Sequence, residues 1–168
     1  IIVAGGEHPS AAPEYILKDC PSIDYIIRGE GEFSMLEFSY NIFSKKSVNK
    51  IPGICFIDKE NKFINNGLSK RIEHINTLPR PAWHLIKCEN YFNDFFTFGI
   101  ARGRSMPILA TRGCPYQCTF CSSPSMWTTR YIMRDPKEIV DEIEWLIKEY
   151  EANDFEFFDL TAIIKKSW

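Results

Sequence analysis

A chain of 168 residues with 45% hydrophobic content carries enough apolar material for a buried core, in one domain or two small ones, which excludes a disordered protein. Its 20 basic and 22 acidic residues are interspersed, so it lacks the basic footprint of a nucleic-acid binder. No apolar run approaches the roughly 20 residues that cross a bilayer, and the start lacks the basic segment and small-residue cleavage site of a secretory signal, so no membrane partner and a cytoplasmic location are expected.

Ile1 to Ala4 form an apolar run stopped by Gly5-Gly6, the pattern of a buried parallel strand ending at a tight turn. The run begins without an initiator Met, and the chain closes on Lys165-Lys166-Ser167-Trp168 just after another strand-like stretch, so both ends read as cut from a longer protein. A helix should follow the glycines, capped by Ser10, with Pro13 in its first turn, Tyr15, Ile16 and Cys20 on its apolar face, and Pro21 as its stop. Ile23 to Ile27 predicts a second strand that ends at Gly29-Glu30-Gly31-Glu32. Phe33, Leu36, Tyr40 and Phe43 then recur at helical spacing through a second amphipathic helix, with Phe38 off that face and Glu30 and Glu32 favouring its N-terminus through the helix dipole. Strand, helix, strand, helix implies a parallel sheet with right-handed crossovers.

Beyond Ser44, Ile51 to Ile57 and Phe63-Ile64 flank a polar turn at Asp58 to Lys62, as in an antiparallel hairpin. Leu78-Pro79-Arg80-Pro81 has to run extended, with Trp83 and Leu85 as anchors. Met106 to Thr111 predicts a new strand that leads through Arg112-Gly113 into a group of cysteines. Asp135, Pro136 and Glu138 supply an N-cap, a proline at the first helical position and the second half of a capping box. Ile139, Val140, Ile143, Leu146, Ile147 and Tyr150 line one face of the helix they open, and Phe155 to Leu160 predicts the next parallel strand. The fold class is α/β.

Three of the six cysteines fall in an eight-residue window, Cys114-Pro-Tyr-Gln-Cys118-Thr-Phe-Cys121, and the total is too small for a disulfide scaffold. Spacings of three residues and then two let one loop wrap three thiolates around a single iron-sulfur cluster. A cubane normally takes four protein ligands, so three leave one iron open to a small molecule. Zinc completed by a distant His or by Cys88 is the other reading, although structural zinc usually takes paired knuckles. Cys20, Cys55 and Cys88 read as small buried hydrophobes.

The remaining candidates have plainer readings. His8 suits a helix-capping loop as well as a cofactor contact, and His74 and His84 are expected to be structural. Gly29-x-Gly31 fails as a dinucleotide fingerprint because Ser34 replaces its third glycine. Asp159 at a strand end could face a cofactor, and Arg130 and Arg134 could attract anionic substrate groups, with surface arginine as the plainer reading.

The C-x3-C-x-aromatic-C pattern after a strand resembles the signature of the radical S-adenosylmethionine superfamily. Gly5-Gly6-Glu7-His8-Pro9-Ser10 and Ile23 to Glu32 resemble the closing section of the cobalamin-binding domains that precede such barrels. Leu78-Pro-Arg-Pro-Ala-Trp83, Arg134-Asp-Pro136 and Asp141-Glu-Ile143 are similar to the same family, which includes anaerobic magnesium-protoporphyrin ester cyclases and cobalamin-dependent methylases. The resemblance implies that residues 1–44 are the C-terminal part of a Rossmann-like, doubly wound cobalamin-binding domain. Residues 45–104 become a connector with the hairpin, and residues 105–168 the N-terminal part of a partial (β/α) TIM-like barrel. It further implies a 4Fe-4S cluster on Cys114, Cys118 and Cys121 with S-adenosylmethionine bound, Phe120 near the adenine, and Gly5 and Gly6 where the backbone approaches the nucleotide tail of cobalamin.

The family's cobalt-ligating His, when present, lies upstream in a D-x-H-x-x-G motif that this sequence does not contain, so cobalamin is a candidate for the intact parent alone, where the domain could also serve as scaffold only. The implied enzyme cleaves S-adenosylmethionine reductively to a 5'-deoxyadenosyl radical. It uses that radical to methylate or oxidatively rearrange a small organic substrate, with flavodoxin or ferredoxin as electron donor. One βαβ unit cannot close a barrel, so this chain alone is expected to be inactive. A non-catalytic zinc or iron-sulfur module with a structural role is the competing reading.

Overall fold

Both predicted strand-helix-strand stretches form in the computed structural model, which describes residues 1–94, 99–100, 102–161 and 164. In chain order the elements are β1 (Val3–Gly5), α1 (Glu7–Ala11), α2 (Pro13–Asp19), β2 (Tyr25–Ile27), α3 (Glu32–Phe43), β3 (Ile54–Ile57) and β4 (Phe63–Asn65). Two single 3-10 turns follow, at Ile75–Thr77 and Trp83–Leu85. Then come α4 (Cys88–Asn93), β5 (Ser105–Ile108), β6 (Thr111–Arg112), α5 (Ser123–Trp127), β7 (Ile132–Met133), α6 (Pro136–Tyr150) and β8 (Asp154–Phe157). They divide into two units: Ile1–Ile72 with Gly113–Arg130, and Glu73–Arg112 with Tyr131–Trp168. The closing Lys165 to Trp168, read from sequence as a cut end, lie outside the described residues.

In the first unit β1 runs parallel to β2, pairing Val3 with Tyr25 and Gly5 with Ile27. The hairpin forms as predicted, with Cys55 opposite Asn65 and Ile57 opposite Phe63. It also adds to the sheet, because β3 pairs antiparallel with β2 and gives the strand order β1-β2-β3-β4. Neighbouring residues of a strand point to opposite faces. Ile27, Ile54 and Phe56 therefore pack with Phe38, Val48 and Ile51 on one side. Ile26 and Cys55 pack with Leu17 on the other, so this small sheet is covered on both faces.

The structure differs from three local expectations. The single helix after the glycines is two, because Ala12 leaves helical geometry (φ −129°) and Pro13, which has no N–H to give, opens α2 instead of continuing α1. Ser10 caps nothing; buried inside α1, its hydroxyl accepts the Gly29 N–H at 3.0 Å and its carbonyl accepts from Arg28 Nε at 2.9 Å. In α3 the buried residues are Ser34 and Phe38, while Phe33, Leu36, Tyr40 and Phe43 are exposed. The sheet face formed by Ile27, Ile54 and Phe56 selects the side that carries Phe38, and the Ser34 hydroxyl donates to the Pro52 carbonyl at 2.8 Å.

In the second unit β5 and β8 are parallel, pairing Ser105 with Asp154 and Ile108 with Phe157, and α6 lies between them in sequence. Met106, Ile108 and Ala110 form the core with Ile139, Leu146 and Cys88, and Ile143 packs against it. Val140 and Ile147, placed by periodicity on the same face, are about half exposed at its margin. The Asp135 cap is present, its carboxylate accepting the Lys137 N–H at 2.9 Å. The reciprocal bond of the capping box is replaced: the Asp135 N–H donates to Asn76 Oδ1 at 3.0 Å, where Glu138 was expected as acceptor. Among the described residues no helix is long and apolar enough to cross a membrane.

The observed face of α3 predicts unequal effects for two phenylalanines. Phe38→Ala should cost about 3–5 kcal/mol of unfolding free energy, and Phe43→Ala within about 0.5 kcal/mol. Urea unfolding of both variants checks this, and equal losses would contradict the packing described.

Candidate functional site

Between Gly113 and Ser122 the backbone forms neither helix nor strand. This stretch carries the three clustered cysteines, with Cys114 partly buried and Cys118 and Cys121 exposed. None of the six cysteines is in a disulfide, and the Cys121 N–H closes a turn onto the Cys118 carbonyl at 3.1 Å. Phe120 is 91% exposed, its ring presented to solvent beside the last cysteine. The intervening Tyr116, Gln117, Thr119 and Phe120 are all neutral, so the donor set offered is three sulfurs with no competing carboxylate. That set fits iron or zinc in kind. Among the described residues no three His, Cys, Asp or Glu side chains are gathered closely enough to hold a metal, so the sulfurs share a loop without converging.

The segment is held at both ends. At its start Gly113 has φ +84°, and a β-carbon there would lie 2.2 Å from the Arg130 carbonyl oxygen, so only glycine fits this pinch. At its end the same carbonyl accepts from Arg71 Nη2 at 3.0 Å. Arg71 in turn lies 3.5 Å from Glu30, whose fully buried carboxylate accepts the Ile72 N–H at 2.6 Å. The Arg71 guanidinium also sits over the Trp127 ring, 5.5 Å from its centre. Glu7 makes a second attachment, accepting from the Ser122 hydroxyl at 2.7 Å and from Trp127 Nε1 at 3.3 Å.

Sequence reasoning missed this set. Glu30, expected to act on a helix dipole, is instead buried and paired, and nothing in a Gly-Glu-Gly pattern distinguishes those fates. Ser122 and Trp127 lie more than 100 positions from Glu7, a pairing that no local pattern encodes.

The other candidates are placed as follows. Gly5 ends β1 opposite Ile27, and Gly6, with φ +103°, has nothing within 4 Å of where a β-carbon would stand. His8 and His84 are exposed, and the His74 carbonyl accepts from Thr77 in a 3-10 turn. The Asp159 carboxylate accepts from the Ala110 N–H at 3.2 Å and from the Thr111 hydroxyl, which ties it to the end of its own strand pair. Arg130 is exposed, but Arg134 is not the surface residue expected: it pairs with the buried Glu142 at 2.5 Å and donates to the Leu109 carbonyl. Cys55 and Cys88 are buried as expected, and burial pushes both thiols up. Cys20 is exposed at the C-terminal end of α2, against expectation, because the helix stops there before it can turn that side chain inward.

No family model matches the sequence. An uncharacterized methyltransferase of Pyrococcus horikoshii is 30% identical over 166 residues, 98% of this chain and 34% of that protein. The anaerobic magnesium-protoporphyrin IX monomethyl ester cyclase of Rubrivivax gelatinosus is 33% identical over 158 residues, 92% of this chain and 27% of the cyclase. Among solved structures, the cobalamin-dependent S-adenosylmethionine radical enzyme OxsB superposes with a TM-score of 0.73 at 19% identity, over 95% of this chain and 21% of its own. The radical S-adenosylmethionine methyltransferase TsrM of Kitasatospora setae gives 0.67 at 22% identity, over 94% and 29%. These structural likenesses establish a shared α/β fold. The chain spans about a third or less of the length of the proteins it matches.

The differing environments of the cysteines predict their reactivity. In the folded, metal-free chain Cys20, Cys118 and Cys121 should alkylate with iodoacetamide at neutral pH at least about tenfold faster than Cys55 and Cys88, whose thiols are buried and held protonated. Peptide mass spectrometry after timed quenching measures the rates, and fast labelling of Cys55 would contradict its position in the sheet.

Proposed function

The chain belongs to the cobalamin-binding radical S-adenosylmethionine family, and from that premise we propose that it carries the cluster-binding part of such an enzyme. The observation that supports this is the run from Gly113 to Ser122, which is free of helix and strand and offers three thiols with no charged residue between them. Cys114, Cys118 and Cys121 would hold a 4Fe-4S cluster. When bound, that group supplies the electron that splits a carbon-sulfur bond of S-adenosylmethionine and yields a 5'-deoxyadenosyl radical.

The chain's own residues would ligate, orient and exclude water. Three thiolates and no fourth donor in the loop would leave one cluster position for the substrate's own polar groups. Phe120, flat and exposed, would stack on the adenine. In the intact parent, Gly5 and Gly6 would let the backbone approach the nucleotide tail of cobalamin, since Gly6 has a positive φ that favours glycine and open space where a β-carbon would stand. Residues 1–44 would close the cobalamin-binding domain, and residues 105–168 would begin the barrel. The reaction would be methylation or oxidative rearrangement of a small organic substrate, in the cytoplasm, with flavodoxin or ferredoxin as donor. Fold leaves the substrate itself open, because the same barrel hosts many reactions.

Anaerobic reconstitution with iron and sulfide tests the proposal. The chain should turn brown, bleach with dithionite and bind about four iron and four sulfide. Cys114→Ala, Cys118→Ala or Cys121→Ala should each lose the colour, whereas Cys55→Ala and Cys88→Ala should keep it. Stoichiometric zinc after metal-free refolding, with no iron uptake, would instead support a structural metal module.

A further inference from the structure

We propose that Glu7, Glu30 and Arg71 are positioning residues for the cysteine segment, clamping residues 113–130 onto residues 1–72 of the same unit so that its three thiols are presented from a closed loop. For the thiols this rests on the cluster reading above; the clamp itself rests on geometry alone. The segment has only one short helix, α5, so its own hydrogen bonds fix little of it. Every residue it must order to bind a metal costs backbone entropy, and bringing its ends together costs closure entropy as well. The structure removes the closure part, since the Gly113 α-carbon and the Arg130 carbonyl already meet and Arg71 donates to that carbonyl at 3.0 Å.

Arg71 is itself aimed. A carboxylate with no exposed surface needs both a cation and hydrogen bonds, and Glu30 obtains them from Arg71 and the Ile72 N–H. The guanidinium is thus turned toward Arg130 and laid over Trp127. Glu7 secures the residue that immediately follows Cys121: one carboxylate oxygen takes the Ser122 hydroxyl and the other takes the Trp127 indole N–H. Each glycine motif of the first half therefore contributes one acid to the clamp, Glu7 after Gly5-Gly6 and Glu30 between Gly29 and Gly31. Gly29 has φ +79°, a left-handed conformation that favours glycine, and it lies beside α5, with the Met126 carbonyl 3.5 Å from where a β-carbon would stand.

Amide hydrogen exchange on the full chain, metal-free and then reconstituted, tests the clamp with Glu7→Ala and Arg71→Met. Glu7 is exposed, so its variant tests the clamp in a folded chain even where Arg71→Met removes the cation beside the buried Glu30. In both variants, amides of residues 113–130 should exchange at least about tenfold faster, while those of β3, β4 and α6 keep wild-type rates. The rate of iron uptake should fall at least about fivefold, with the fully loaded protein keeping its spectrum. Wild-type exchange across 113–130 in Glu7→Ala, or a uniform acceleration through the whole first unit, would overturn the clamp. If exchange changes as stated but even the wild-type chain takes up no iron, the cluster reading fails and the clamp stands.

Discussion

A loop that is to present three thiols in one place has to be closed before it can be useful, and here closure depends on the contact between Gly113 and the Arg130 carbonyl. That contact requires a residue without a β-carbon at one end and a donor for the carbonyl at the other. Arg71 supplies the donor, and Glu30 determines where Arg71 points. The buried acid is tolerable only because the arginine and a backbone N–H satisfy it, so the polar pair and the loop closure stand together.

The two units reach their purposes by the same construction. Each is built on a parallel strand pair joined through helix, and in each the residues just past a strand carry the special geometry: Gly6 after β1, and Asp159 after β8 with Ala110 after β5. The Asp159 contacts brace the stretch that runs directly into Gly113. Segments at strand ends are free of the sheet's hydrogen-bond ladder, which leaves their backbone available for turns and ligands. Cores behind the strands, Ile26 with Leu17 and Ile108 with Leu146, keep those ends in place.

Much of this was legible in the residues. The parallel strand pairs, the hairpin and the Asp135-Pro136 helix start follow from local patterns that the structure keeps. What sequence could not convey depends on partners distant in the chain. Periodicity chose the aromatic-rich side of α3, but the neighbouring sheet chose the side with Phe38. Glu30 and Arg134 looked like ordinary charged residues and proved to be halves of largely buried ion pairs. Asn76 took over a hydrogen bond that the capping pattern assigned to Glu138, because an acceptor from 59 residues away was better placed. The metal set is the inverse case: spacing names its three sulfurs, while their convergence depends on the metal that would draw them together.

Under the proposed function the cluster would take three ligands from the protein and the remainder from the molecule to be cleaved. Electron-nuclear double resonance on the dithionite-reduced, reconstituted chain, with S-adenosylmethionine labelled with nitrogen-15 in its amino group, measures this directly. The expected result is a nitrogen-15 hyperfine coupling to the cluster that is replaced by a nitrogen-14 pattern with unlabelled cofactor. A cluster that shows no such coupling and takes a fourth ligand from the chain itself would contradict it.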